Sequence, residues 1–369
     1  MLWPMNELAL QQQRTVDRIA LIGSALAILA ATAFVALDPV QTVARRGSSA
    51  ATGSSLPTVA PAAPDRSPLA QLALPSPAWT IVSDGTWAAY ARLDEGQPAE
   101  IVVRALHSDA SRVVYRAHEA SYLGQLSLAK GVLALEEILP GNNGQGREIS
   151  VRVVNVATGD VTTMDTFAPS SSLAASPVTD GSRLFWVRPN AAGGDEIRGF
   201  DLATSKAWTV QRRPEQIAAL ALSGNSLAYT AFARDASASY VLDLASGAAK
   251  PVDGFAYSYV QSVAPDGVVV TGALAAGAPA SSWLVRSDGA RTRLASDCFN
   301  VTMTARVLAM RCATQIEIRD LATGASLYHF AGNAGALAVF EGGVVWGEGD
   351  ELMLYELPAL ARATEARPN

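Results

Sequence analysis

A chain of 369 residues is long enough for one large domain or two ordinary ones. Its 49% hydrophobic against 17% charged residues excludes a disordered polypeptide, and its formal net charge of −6 excludes the basic footprint that a nucleic-acid partner needs. Residues 1–18 read as a short cytoplasmic leader. Residues 19–37, "IALIGSALAILAATAFVAL", carry no charge. As a helix they would span roughly 28 Å at ~1.5 Å per residue, close to the ~30 Å hydrocarbon core, so a transmembrane signal-anchor is expected. Arg14 and Arg18 precede the span and Arg45 and Arg46 follow it, so charge alone does not orient it. A cleaved signal peptide, with Ala31 or Ala33 at the cleavage site, is the competing reading; the leader's Glu7 and Asp17 fit it less well. Residues 38–76 are mostly Ala, Pro, Ser, Thr and Gly and read as a flexible linker.

From residue 77 to 369 short β-type runs alternate with turn signals. One turn word recurs as "NVATG", "DLATS", "DLASG" and "DLATG", with looser copies at Leu106, Arg286 and Glu356. Its spacings are 49, 46, 42, 43, 34 and 36 residues. A second word, built on Gly85, Gly131, Gly181, Gly224, Gly267 and Gly343, keeps the same rhythm. Periods near 40 with four strands each predict an all-β propeller of seven blades, with six or eight also compatible. The expected blades are 77–116, 121–167, 172–211, 216–256, 259–296, 298–331 and 334–364. The last outer strand, "ALARATEA", is weak, which leaves an N-terminal strand as the alternative closure of the ring. Asp or Asn fixing its own backbone, followed by Gly or Ser, explains both words as hairpin turns.

The words "SDGTWAAY", "TDGSRLFW", "SGNSLAYT" and "APDGVVVT" resemble the repeat of TolB-like and WD-like bacterial β-propellers, over most of residues 79 to 357. The resemblance implies a propeller in an extracytoplasmic setting and carries no partner with it.

Residues with chemical potential are few. Tyr90, Trp186 and Tyr229 each follow a turn glycine by five residues; packing between blades explains them better than a carbohydrate platform. "SDGTW" is similar to the Asp box of sialidases but lacks its spacer residues. The three histidines, His107, His118 and His329, show no metal-ligand spacing, and no "HExxH", "GxSxG" or calcium loop occurs. Neither a cofactor nor a metal is expected. Cys298 and Cys312 flank the hairpin "CFNVTMTARVLAMRC" about Ala305 and are expected to form a cross-strand disulfide.

In such a blade the A–B and C–D turns emerge on one side and the B–C and D–A loops on the other. The repeated words occupy the first side. The second carries loops that vary in length, and with them the candidate contacts: Arg92, Asp94 and Glu95 in blade 1; Asn142, Asn143 and Arg147 in blade 2; Arg188, Asp195 and Glu196 in blade 3; Arg234 and Asp235 in blade 4. Mixed charge there favours a protein partner over an anionic polymer. The expected function is therefore a membrane-tethered, extracytoplasmic, non-enzymatic binding or scaffold module. A lectin or hydrolase using the central channel is the alternative.

Overall fold

The recurring turn words fold as their residue types dictate. Asp84 Oδ1 accepts from the Thr86 and Trp87 N–H groups, both at 2.9 Å. Asp180 Oδ1 accepts from Ser182 and Arg183 at 2.9 and 2.7 Å, and Asp320 Oδ1 from Thr323 at 2.7 Å. Gly85 and Gly181 follow their aspartates at φ +87°, a conformation open to glycine at no steric cost.

These turns belong to a computed structural model that describes residues 70–73, 78–94, 97–108, 110–140, 147–168, 175–233, 236–276, 278–294, 298–331, 335–348 and 351–357. All lie within one unit, Val59–Asn369. They form seven four-stranded antiparallel sheets. Six are continuous in sequence, at 78–116, 122–167, 178–213, 216–251, 257–293 and 298–331. The seventh takes three strands from 337–356 and its outer strand from Ala70–Ala73, where Ala70 opposes Leu354 and Ala73 opposes Glu351. The ring is thus closed by an N-terminal strand, and it begins inside the stretch 38–76 read as linker. Residues 359–366, "ALARATEA", read as a weak last strand, lie outside the described residues, and so does the span 19–37. No helix among the described residues is long and apolar enough to cross a membrane.

Seven hydrophobic clusters, each formed between two consecutive blades, hold the sheets together. Ala89 and Ile101 of blade 1 pack with Leu133 and Leu135 of blade 2. Tyr90 and Val102, on the opposite face of blade 1, pack with Phe340, Val345 and Leu354 of blade 7, which closes the circle. Successive strand residues point to opposite faces, and both faces are covered here. The B strands are accordingly apolar along their length instead of alternating, as in "WAAYA", "RLFWV" and "SLAYT".

Inner strands carry a shared irregularity. In blades 1, 2, 4, 5 and 6 the A strand holds one residue more than its partner, some five residues before the A–B turn. Such a bulge bends a strand and raises its twist. In blade 6 the extra residue is Asn300, at φ +54°. It also sets the disulfide. A two-residue turn at Ala305 and Arg306 pairs an odd with an even residue number, as Met303 with Leu308. Cys298 and Cys312 are both even, so a regular ladder would leave them staggered. Asn300 shifts the register by one, and the two cysteines stand opposite each other and are bonded.

Counted from the centre of each A–B turn, the bulky row of the B strands becomes Tyr90, Leu135, Trp186, Tyr229, Val270, Met310 and Trp346. All seven are buried. The three aromatics singled out in the sequence therefore fill inter-blade cores.

Candidate binding face

Strand B of blade 2, Val132–Leu139, carries two consecutive glutamates in its loop-side half, both inaccessible to solvent at 0%. Adjacent strand positions face opposite ways, so each glutamate meets a different neighbouring blade. Glu137 turns to the connection from blade 1. It accepts from the His118 N–H (2.7 Å), the His118 ring Nδ1 (2.8 Å), the Ser121 hydroxyl (2.7 Å), the Tyr115 hydroxyl (2.6 Å) and Arg152 Nε (3.0 Å). Desolvation pushes its pKa up. The His118 N–H and the Tyr115, Ser121 and His118 side chains outweigh that and hold the carboxyl down at about 2. Burial, and then the bond to Glu137, raise Tyr115.

Glu136 turns to the connection into blade 3, where its Oε1 accepts from the Ala175 N–H at 3.0 Å. Its Oε2 is buried and has no hydrogen-bond partner. Desolvation dominates, and its pKa is raised. Gly124 makes room for it: a Cβ there would lie 2.8 Å from Glu136 Oε2. Other blades use the same level of strand B to grip the backbone of the next blade. Thr230 Oγ1 accepts from the Val260 N–H at 2.9 Å, and Arg311 donates to the Gly335 carbonyl.

The structure places the sequence-selected contacts as follows. Arg92 is half-buried in strand B of blade 1, paired with Glu100, which also holds Arg116. Asp94 ends that strand. Arg147 is exposed and donates to the Tyr122 hydroxyl at 2.9 Å, with its guanidinium 5.5 Å from the ring centroid. Arg188 pairs with Asp165 at 3.1 Å, and Asp165 also accepts from Trp186 Nε1 at 2.8 Å. Glu95, Asn142, Asn143, Arg234 and Asp235 lie outside the described residues. Asp195 and Glu196, expected in the B–C loop, are strand residues instead. The flanking strands run through Pro189 and from Asp195, so the loop is only 190–194. Both acids are buried in strand C. Asp195 Oδ2 accepts from the Ile217 N–H of blade 4 at 2.8 Å; Glu196 accepts from Arg212 Nε at 3.2 Å and lies 3.7 Å from Arg198.

These pairs share a layout that a count of charges hides. The carboxylates of Glu100, Glu137, Asp165 and Glu196 lie within, while Arg116 and Arg212 side chains are 71% and 65% exposed. A short carboxylate is sequestered among strands, and a long guanidinium reaches past it to water. Among the described pairs the outward charge is therefore basic. Sequence reasoning also missed an apolar group on this side. Tyr257 and Tyr259, both near 40% accessible, open strand A of blade 5 (Tyr257–Ala264), and Leu274 follows the residue that pairs with Tyr257. Phe232 of blade 4 lies 6.1 Å from the Tyr259 ring. The signal was "YSY", two aromatics with strand period at the loop-side end of a strand.

The described serine–histidine contacts lack the connectivity of a nucleophilic triad. Ser121 donates to Glu137 and to the His118 carbonyl, not to the imidazole. The Ser326 hydroxyl and His329 Nε2 are 2.7 Å apart, but His329 Nδ1 meets no carboxylate. One described group has ligand atoms close enough for a metal ion: Cys298, Cys312 and Glu317.

The geometry defines a seven-bladed β-propeller closed by its N-terminal strand. No protein-family model matches the chain, and no curated protein matches it. Among solved structures it is similar to a chain of the mitotic checkpoint complex (13% identity, 83% of this chain and 99% of that one, TM-score 0.56). It is also similar to a prolyl endopeptidase (17% identity, 73% and 46%, TM-score 0.53) and to TolB from Acinetobacter baumannii (12% identity, 73% and 66%, TM-score 0.50). The chain thus spans less than half of that endopeptidase. At these identities the likeness is one of fold.

Proposed function

We propose that the protein is a membrane-tethered, extracytoplasmic propeller that binds a protein partner through its B–C loop side, without catalysis. One observation carries the reading. The closing strand runs from Ala70, beside Leu354, to Ala73, beside Glu351, so the chain enters the ring on the turn side. A tether attached there leaves the opposite, loop side free. That side combines outward guanidiniums with the Tyr257, Tyr259 and Leu274 group, the mixture of aromatic anchor and arginine in which binding energy concentrates. Such a surface suits a partner that offers carboxylates around an apolar contact.

The test is capture of a partner from membranes by the full chain, repeated with two sets of variants. Replacing residues 139–147 by a two-residue turn, or Tyr259 by Ser, should lower capture about tenfold or more. Asp180→Asn and Asp320→Asn, on the turn side, should leave it unchanged. The reverse pattern, with folding intact, would overturn the assignment of the face. The likeness to peptidase chains supports a second reading, a lectin or hydrolase working through the channel. Turnover of peptide or glycan substrates by the isolated chain would favour it.

A further inference from the structure

We propose that the disulfide of blade 6 is one of two alternative clasps, and that the reduced pair, with Glu317, forms a site for a thiophilic divalent cation such as zinc. The residues meet by strand register. Cys298 opposes Cys312, Met310 (two before Cys312) opposes Glu317, and Glu317 opposes His329. With strand period two, the two cysteines and Glu317 lie on the same face of the sheet. The two sulfurs and a Glu317 oxygen lie within 4.8 Å of one another, and all three residues are buried. A tetrahedral zinc site with ~2.3 Å zinc–sulfur bonds separates its sulfurs by roughly 3.8 Å, a displacement that breaking the S–S bond permits.

A buried carboxylate needs a reason in an otherwise apolar cluster of Val301, Met303, Leu308 and Met310. Arg319 balances it, with bonds of 2.8 and 3.0 Å to the two carboxylate oxygens. The oxidised cluster is therefore neutral. Two thiolates would add two negative charges and one zinc ion two positive ones, so the metal-bound state is neutral as well. His329 lies across from Glu317, with its Nε2 2.7 Å from the Ser326 hydroxyl, and is not one of the three residues whose ligand atoms cluster. Two sulfurs and a carboxylate oxygen make three protein ligands, which leaves the fourth zinc position to water. Chemically, a dithiol reductant delivers two electrons and two protons, the S–S bond breaks to two thiols, and the reductant leaves as its own disulfide. Zinc then binds with release of the two protons.

The experiment uses the full chain in detergent, reduced with a phosphine. The phosphine takes oxygen from water to become its oxide, while water's two protons and the phosphine's two electrons go to the sulfurs. After removal of the phosphine, zinc is titrated and the chain is weighed by native mass spectrometry. The expected result is one zinc, with loss of two protons, on the reduced chain and none on the oxidised chain. Cobalt should give a sulfur-to-metal charge-transfer band. Glu317→Gln should weaken zinc binding about tenfold or more. If the reduced chain loses its β-sheet signal, recovery of that signal on adding zinc supports the site, and failure to recover overturns it. Zinc bound equally by the oxidised chain, or by the Cys298→Ser/Cys312→Ser variant, would also overturn it.

Discussion

Two neighbouring residues, Glu136 and Glu137, show how little a residue's type decides without its surroundings. Both are fully buried, yet their carboxyls shift in opposite directions. Glu137 is depressed from 4.5 to about 2, so its contribution to stability is complete above pH 4.5 and is lost as the pH falls towards 2. Glu137→Gln should destabilise the protein at neutral pH by about 3 kcal/mol and flatten that acid window. Glu136 is raised, so its contribution is complete below 4.5 and is lost as the pH rises through its folded value. Glu136→Gln should therefore improve relative to wild type as the pH rises from 4 towards neutrality. Denaturant titrations of both variants across pH 3–8 check the two signs. Gly124→Ala tests the packing: its Cβ would come within 2.8 Å of Oε2 and 3.0 Å of Cδ of the fully buried Glu136. A loss of about 1–3 kcal/mol is expected in the same titrations. The sequence shows "EE" in an apolar strand but not which glutamate meets five donors, because those donors arrive from 15 to 22 residues away.

Among the elements, the closing strand Ala70–Ala73 has the largest consequence for its size. "AQLA" has no β-branched or aromatic residue and follows a Pro-, Ala- and Ser-rich run, so local propensity does not mark it as a strand. Its pairing with Leu352, Met353 and Leu354, far along the chain, makes it one. A fragment starting at residue 78 would leave strand C of blade 7 (Glu351–Glu356) as an open edge. That fragment should melt about 5–10 °C below one starting at residue 70, and should associate on concentration. Differential scanning fluorimetry and light scattering on the two fragments measure this. The inner-strand bulges were equally hidden. The cysteines' symmetry about Ala305 anticipated their pairing, but the pairing depends on an extra residue, Asn300, that the symmetry did not contain. Pairing about the turn centres puts Leu135 level with Tyr90 and Trp186.

For the whole molecule, the ring fixes two sides, and the entry of the chain on the turn side makes them unequal. Alkaline phosphatase fused after Asn369 should be active, since that enzyme works only when exported. An inactive phosphatase together with an active cytoplasmic reporter at the same place would refute the extracytoplasmic placement. In exported protein alkylated without reductant, the intact mass should show no alkyl group added, because Cys298 and Cys312 are bonded.

The sequence by itself determined the repeat, the all-β propeller class, the turn chemistry and the side of the disc on which variable loops gather. Each of these is written in local words that an aspartate, a glycine or an apolar run can enforce over a few residues. Only the tertiary structure decided how the ring closes, where each inner strand bulges, and which charges face out. Asp195 and Glu196 belong to strand C, which begins at Asp195, and five donors converge on the buried Glu137. Those outcomes depend on partners brought together from distant parts of the chain, and no local window of sequence contains them.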